Sequence, residues 1–326
     1  MNLSNINNLL IVRLSSLGDV LLTTPLIRTI KKNYPQIKID FLIKPQYADV
    51  LRYNPYINNL IIYSENESLI TDLKQNKYDL IVDLQNNLRS AKIKFGLKIP
   101  RGVFNKRTLD KFLLVNFKIN RLKNSYSIPK RYAEAVSEIN LDDEGLDLFL
   151  PEDINSVIEK NNMNIGFAPG SRHFTKMWPE EYYIQLGNKL ADAGYKIFLF
   201  GGKSDREICR KITDKISGAA DLSNDDNLYQ TAIDMKNCAA VVCNDSGLMH
   251  TACAVKVPVM VFLGSTVKEF GFAPYKNPNS VLENKLLSCR PCTHIGRERC
   301  PLGHFKCMLE LTPQTAFDNL LILLKS

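Results

Sequence analysis

The 326-residue chain has no long hydrophobic run. Apolar stretches such as residues 9–12, 80–82 and 257–263 fall far short of the roughly 20 residues a membrane-spanning helix needs. The start, MNLSNINNLLIVRL, has no basic leader and no small-residue cleavage site, so we expect no signal peptide and a cytoplasmic protein. Also missing are a repeat of solenoid period and any low-complexity segment. No three-glycine dinucleotide fingerprint and no Gly-Lys-Ser/Thr phosphate loop follows the first strand, which removes the two commonest nucleotide-binding signatures.

What is present is globular. A hydrophobic content of 45% over this length supports two domains with real cores. Short β-rich runs alternate with helical ones: strands near residues 9–13, 37–43, 60–63, 78–83 and 99–104, with helices at 20–33 and 69–76. After the acidic LDDEGLDLFLPED the pattern restarts. Strands are expected at 164–168, 196–200, 239–243 and 257–263, with helices at 180–193, 204–215, 228–237 and 248–254. Two tandem α/β domains follow, 1–158 and 159–311, with a last helix over about 312–326 expected to cross back to the first. In open α/β sheets ligands bind at the carboxyl ends of strands, so chemistry is sought in the loops there.

The first such loop, RLSSLGD, delivers Asp19 to the start of a helix. On position alone Asp19 reads as a helix cap. The alternative is a general base that takes a proton from an incoming hydroxyl, with Ser16 beside it. The second, PGSRHFTKMWPEEYY, sets Ser171, Arg172, Thr175 and Lys176 ahead of a helix; hydroxyls and two cations there suit a diphosphate, the alternative being a solvated turn. The third, NDSGLMH, places Asp245, Ser246 and Gly247 at a helix start whose backbone N–H groups are open to phosphate. His250 lies one turn further on, as a ligand contact or a packing residue. In FLFGGKSDRE, Gly202 permits close approach of a base or ribose, with Lys203 and Asp205 as its polar neighbours.

Charge and cysteine are both clustered. Residues 87–131 hold thirteen basic side chains against one acid, a local net of +12 within a chain of net +8. An excess larger than the whole chain's suggests an anionic partner, whether nucleic acid, an acidic glycolipid or a membrane surface. Cys209, Cys238, Cys243 and Cys253 fall in expected helices and strands and read as core residues. Cys289, Cys292, Cys300 and Cys307 have the spacing C-x2-C-x7-C-x6-C, which taken alone suggests structural zinc.

Five segments in order, RLSSLGDVLLTTP, YDLIVDLQNNLRSA, PGSRHFTKMWPEEYY, NDSGLMH and CRPCTHIGRERCPLGHFKCM, resemble glycosyltransferase family 9, the bacterial lipopolysaccharide heptosyltransferases. The resemblance spans nearly the whole chain. It implies an α/β GT-B fold, two Rossmann-like domains facing across a cleft, with acceptor on the first and nucleotide sugar on the second. It also implies inverting transfer of heptose from an ADP-sugar to the lipopolysaccharide inner core. Carried over by position, Asp19 matches the family's proposed base, Ser171 and Lys176 the donor-phosphate loop, and Asp245, Ser246, Gly247 and His250 the nucleotide-sugar loop. Lys203 falls where members differ. No metal cofactor is implied: no Asp-x-Asp motif stands in an obvious donor loop, and zinc is not a usual requirement, so free thiols or a disulfide are favoured over structural zinc for the cysteine cluster. The basic stretch gains a partner, lipid A with acidic sugars at the inner face of the cytoplasmic membrane, and not nucleic acid. Arg89 and Arg101, with Asp83 and Gln85 at one strand end, are the expected acceptor contacts. Rival readings are another sugar or acceptor within the family, a GT-B nucleotide-sugar epimerase, and a non-catalytic binder of nucleotide sugar or glycolipid.

Overall fold

The computed structural model describes residues 3–66, 68–123, 127–136 and 139–325. By contacts the chain divides into two units, Met1–Arg107 with Tyr126–Phe149, and Thr108–Ser125 with Leu150–Ser326.

The first unit runs β1 (Asn8–Val12), α1 (Leu17–Leu21), α2 (Thr24–Asn33), β2 (Lys38–Ile43), β3 (Asn59–Ile62), α3 (Ser68–Gln75), β4 (Leu80–Asp83), α4 (Leu88–Leu97) and β5 (Arg101–Val103). After α5 (Thr108–Phe117), which groups with the second unit, the chain returns for α6 (Ile128–Ala133). The five strands are parallel in the order β3-β2-β1-β4-β5. Central strands covered on both faces must be apolar throughout, and in β1 and β4 Leu9 to Val12 and Leu80 to Val82 are buried. Leu10, Val12, Leu42, Ile81, Ile93 and Leu97 form a core on one side. The helix expected at 20–33 is two helices, because Thr23 and Thr24 turn their hydroxyls back onto the Val20 and Leu21 carbonyls and Pro25 opens α2. Arg28 of α2, 1% exposed, fastens the 142–147 segment through Asp142, Asp147 and the Gly145 carbonyl.

The second unit continues with β6 (Asn164–Ala168), α7 (Glu180–Asp192), β7 (Lys196–Leu199), α8 (Arg206–Thr213), β8 (Ala220–Asp221), α9 (Leu228–Lys236), β9 (Ala240–Asn244), α10 (Gly247–Ala254), β10 (Val259–Leu263), β11 (Asn279–Glu283), α11 (Lys306–Leu309) and α12 (Pro313–Leu323). Its parallel sheet has the order β11-β10-β9-β6-β7-β8. Trp178, stacked on Phe262 with centroids 4.1 Å apart, lies in the core with Ile165, Phe167, Tyr183 and Met308.

Two features differ from the expected domain plan. The last helix groups with the second unit: Leu311, Ala316, Leu320 and Leu323 join that unit's own core, and the Trp178 indole donates to the Leu311 carbonyl at 2.7 Å. Apolar spacing alone did not say which core α12 would serve; residue 326 lies outside the described residues. The segment Thr108–Ser125 also belongs with the second unit, because Leu114 and Leu122 pack on Phe270.

Each sheet reverses its strand order once near the middle. In the first, β1 is flanked by β2 and β4; in the second, β6 is flanked by β7 and β9. Chains leaving the two strands at such a point go to opposite faces of the sheet, opening a crevice at the carboxyl ends.

Candidate active site

In the first unit, the crevice is bordered by the loop after β1 and the loop after β4. Asp19 is the third residue of α1, and its Oδ2 accepts from the Ser16 backbone N–H at 3.2 Å and the Ser16 hydroxyl at 2.8 Å. The N-cap is thus Ser16 and not Asp19, which instead accepts from the N-cap backbone as the third helical residue. Its Oδ1 meets the Arg13 Nη2 at 2.7 Å, while Arg13 Nη1 donates to the Leu84 carbonyl at 2.6 Å. Burial alone would push the Asp19 carboxyl up, but the Arg13 guanidinium and the Ser16 hydrogen bonds outweigh it and hold the carboxyl below its ordinary value. Asp19 is an ionised acceptor with both oxygens aligned.

Around this pair stand Tyr132 from α6, Lys106 from the loop after β5, and Asp83. The Tyr132 hydroxyl and the Arg13 Nε are buried with no hydrogen-bond partner among the described residues. Burial and the nearby Arg13 push the Lys106 ammonium down, opposed by Asp83 and Asp19. Arg13, Tyr132 and Lys106 were not singled out from sequence; only Arg13 left a signal, as the residue that opens RLSSLGD.

The expected acceptor contacts separate into two kinds. Asp83 is fully buried: Oδ1 accepts from the backbone N–H groups of Gln85 and Asn86, and Oδ2 from the Ser90 hydroxyl and the Lys94 ammonium, at 2.7 to 3.0 Å. Gln85 Oε1 accepts from the N–H groups of Leu14 at 2.8 Å and Ser15 at 3.2 Å. Both residues turn inward, Asp83 onto its own loop and α4 and Gln85 onto the β1 loop, which corrects their expected role as acceptor contacts. Arg89 and Arg101 are exposed, Arg89 near Glu65 at 3.3 Å and Arg101 over the Phe95 ring at 4.9 Å. The basic stretch is likewise not one surface, since Lys94 and Arg131 are buried.

In the second unit, the loops after β6 and β9 interlock. Asn244, fully buried at the end of β9, donates from Nδ2 to the Pro169 carbonyl at 2.7 Å and accepts at Oδ1 from the Trp178 N–H at 2.9 Å. Lys176 Nζ lies 2.7 Å from Asp245 Oδ2, which also accepts from the Thr266 hydroxyl at 2.9 Å. Beside this pair the Ser246 hydroxyl, at the start of α10, is buried and without a partner among the described residues. Ser171 is partly exposed and Arg172 exposed, whereas His250 is 3% exposed inside α10.

Two donor expectations change. Thr175 is 1% exposed, and its hydroxyl accepts from the Arg297 N–H at 2.8 Å, so it fastens the 290s segment to the β6 loop. The space beside Gly202 is filled from within: a Cβ there would come within 2.2 Å of Asp226 Oδ1, which accepts from the Lys203 N–H at 2.9 Å. A Cβ on Gly170 would strike Asp205 in the same way, at 2.3 Å. Burial raises the Asp205 carboxyl, aided by Asp226 and opposed by hydrogen bonds from Gly202 and Ser204.

The cysteine-rich segment is held by Arg290, whose guanidinium donates to the carbonyls of Leu263, Gly264 and Thr266 and pairs with Glu283. Cys289 Sγ lies 3.9 Å from His304 Nε2, and all four cysteines are free thiols. Burial pushes the Cys307 thiol up to about 11. Among the described residues no three His, Cys, Asp or Glu side chains gather closely enough to hold a metal.

A family model described as "Glycosyltransferase family 9 (heptosyltransferase)" matches residues 67–302. The chain belongs to glycosyltransferase family 9. It is 25% identical to lipopolysaccharide heptosyltransferase 2 of Escherichia coli K12, over 97% of this chain and 98% of that protein. Among solved structures it resembles the Escherichia coli ADP-heptose lps heptosyltransferase II, with TM-score 0.73, 25% identity, and 97% and 98% of the two chains covered. A glycosyl transferase family 9 protein from Veillonella parvula superposes with TM-score 0.77 at 22% identity, covering 98% of this chain and 97% of that one. With two parallel Rossmann-like sheets, this family 9 member has the GT-B fold and is a glycosyltransferase.

Proposed function

We propose that the protein is an inverting heptosyltransferase that moves heptose from ADP-heptose to the inner core of lipopolysaccharide. The observation that carries the reading is Asp19, a carboxylate kept ionised by Arg13 and Ser16 at the strand-order reversal of the first sheet. Similarity to the Escherichia coli ADP-heptose enzyme over nearly both whole chains supports the donor and the acceptor class.

The chemistry is one displacement. An acceptor hydroxyl loses its proton to Asp19 as its oxygen bonds to the anomeric carbon from the face opposite the diphosphate. The carbon–oxygen bond to the diphosphate breaks, and its electron pair leaves with ADP. Lys176 and the N–H groups at Ser246 and Gly247 take up the growing negative charge, with Ser171 and Arg172 nearby in sequence as further donor contacts. Lys203 is assigned to the nucleoside end of the donor. Arg89, Arg101 and Ser16 are assigned to the acceptor, a lipid-linked anionic glycan at the inner face of the cytoplasmic membrane.

Mass spectrometry of a truncated core acceptor incubated with a panel of nucleotide sugars tests the proposal. One added heptose, with ADP-heptose as the productive donor, is expected. Transfer of a different sugar, or an Asp19→Asn variant that keeps a near-native rate, would overturn the donor or the base respectively.

A further inference from the structure

Helix α5 is apolar on two faces, and only one of them is covered. Inward, Leu114 is 5% exposed and packs with Val115 against Phe270, Val267 and Phe272. Outward, Leu109, Phe112 and Phe117 are 64%, 53% and 62% exposed, and Ile119 just past the helix is 49% exposed. The Phe112 and Phe117 rings touch edge to face, with centroids 5.9 Å apart, so the outer residues form a patch. A helix apolar all round is normally buried on all sides. Large side chains clustered at such exposure mark a surface that meets something.

The end of the helix is also anchored. The Lys118 ammonium donates to the carbonyls of Val115, Cys289 and Pro291, at 2.9, 3.1 and 2.7 Å, clamping the helix end onto the second unit. Arg121 and Lys123 follow and are exposed. Residues 108–123 carry four cations and one acid, Asp110.

We infer that the outer face of α5 and the basic turn after it form a docking surface for an anionic lipid bilayer. The cores of protein–protein patches are depleted in lysine, whereas an apolar ridge flanked by Lys and Arg is the pattern of helices that lie in the interface of acidic membranes. The ridge inserts among the acyl chains while Arg121 and Lys123 stay at headgroup level, facing phosphates. This surface shares no residue with the donor and base assignments above, so it stands or falls independently of them.

Co-sedimentation of the full chain with phosphatidylcholine vesicles, with and without phosphatidylglycerol, tests the surface in the absence of any substrate. The native chain should pellet with the anionic vesicles, less so as salt rises. Phe112→Ser with Phe117→Ser should lower the partition coefficient about tenfold or more, with the melting temperature unchanged because both rings are already exposed. Arg121→Glu with Lys123→Glu should remove the preference for phosphatidylglycerol. Activity on a deacylated, water-soluble acceptor should stay at the native level in both double variants. A native chain that ignores anionic vesicles would overturn the inference, as would aromatic variants that partition like the native chain. So would a native dimer, seen by light scattering, that the aromatic variants convert to monomer.

Discussion

Arg13 Nη2 lies 2.7 Å from Asp19 Oδ1, and through its other terminal nitrogen Arg13 is anchored on the Leu84 carbonyl. The guanidinium therefore aims the carboxylate as well as charging it, because one end of Arg13 is fixed to the strand that ends beside it. Arg13→Met should raise the acidic limb of the kcat/KM profile. Burial then acts on Asp19 against Ser16 alone. In the native enzyme the base form should persist below the ordinary aspartate value of about 3.9. Arg13→Lys should bring the limb partly back while leaving kcat low, since an ammonium cannot serve Leu84 and Asp19 together. An acidic limb unmoved in Arg13→Met would separate Arg13 from the base.

Asp19→Asn keeps a side-chain oxygen that can accept from the N-cap Ser16 and removes the base. A fall of about 10²- to 10⁴-fold in kcat is expected, with only a small change in melting temperature. Stopped assays of ADP release alongside thermal unfolding distinguish this from a loss of the cap alone, which would move the melting temperature first.

Lys176 and Asp245 form a pair that donor binding has to rearrange if the ammonium is to reach the diphosphate. Lys176→Met should cut kcat/KM by about 10²- to 10³-fold. Asp245→Asn, which frees the ammonium but keeps a hydrogen-bonding side chain for Thr266, should tighten ADP binding measured by calorimetry. Weaker ADP binding in Asp245→Asn would mean that Asp245 itself contacts the nucleotide or orients Lys176 toward it.

Thr175→Ala removes the acceptor of the Arg297 N–H and should cost about 1 to 3 kcal/mol in urea unfolding. The KM for donor should stay native. A raised KM with unchanged stability would return Thr175 to the donor contacts.

Asp142 is held at about 2, chiefly by its hydrogen bond with Arg28. A carboxyl lowered on folding contributes stability above its unfolded value and loses it as pH falls toward the folded one. Native stability should therefore drop between about pH 4 and pH 2. Arg28→Met should be less stable at neutral pH, with a shallower acid slope across that window. Parallel acid slopes in the two proteins would show that the Arg28 network does not govern acid unfolding.

Much of this was readable in the sequence, for reasons that differ by element. β1, β6, β9 and β10 are covered on both faces and so read as unbroken apolar runs, and the strand-end rule then located Asp19, Lys176 and Asp245. β11 escaped because Asn279 and Ser280 give it the look of a loop. Asp83 and Gln85 stand at the strand end to which the rule points, but sequence does not say that Asp83 turns inward to four donors and Gln85 to two backbone N–H groups. Arg13 and Tyr132 were missed for the opposite reason: an arginine ending a strand and a tyrosine in a short helix carry no spacing signature until the fold brings them to Asp19. Helix α5 was hidden inside a count of charges, which said nothing of its apolar faces.

Asn244 has a consequence for anyone who would change the sugar donor by transplanting loops. Its amide is stitched to the backbone on both sides of the 169–178 loop, while the neighbouring Asp245 holds Lys176 from that same loop. The two segments are thus one cassette: a foreign 169–178 loop grafted without its own partner at 244–245 would arrive with its anchors cut.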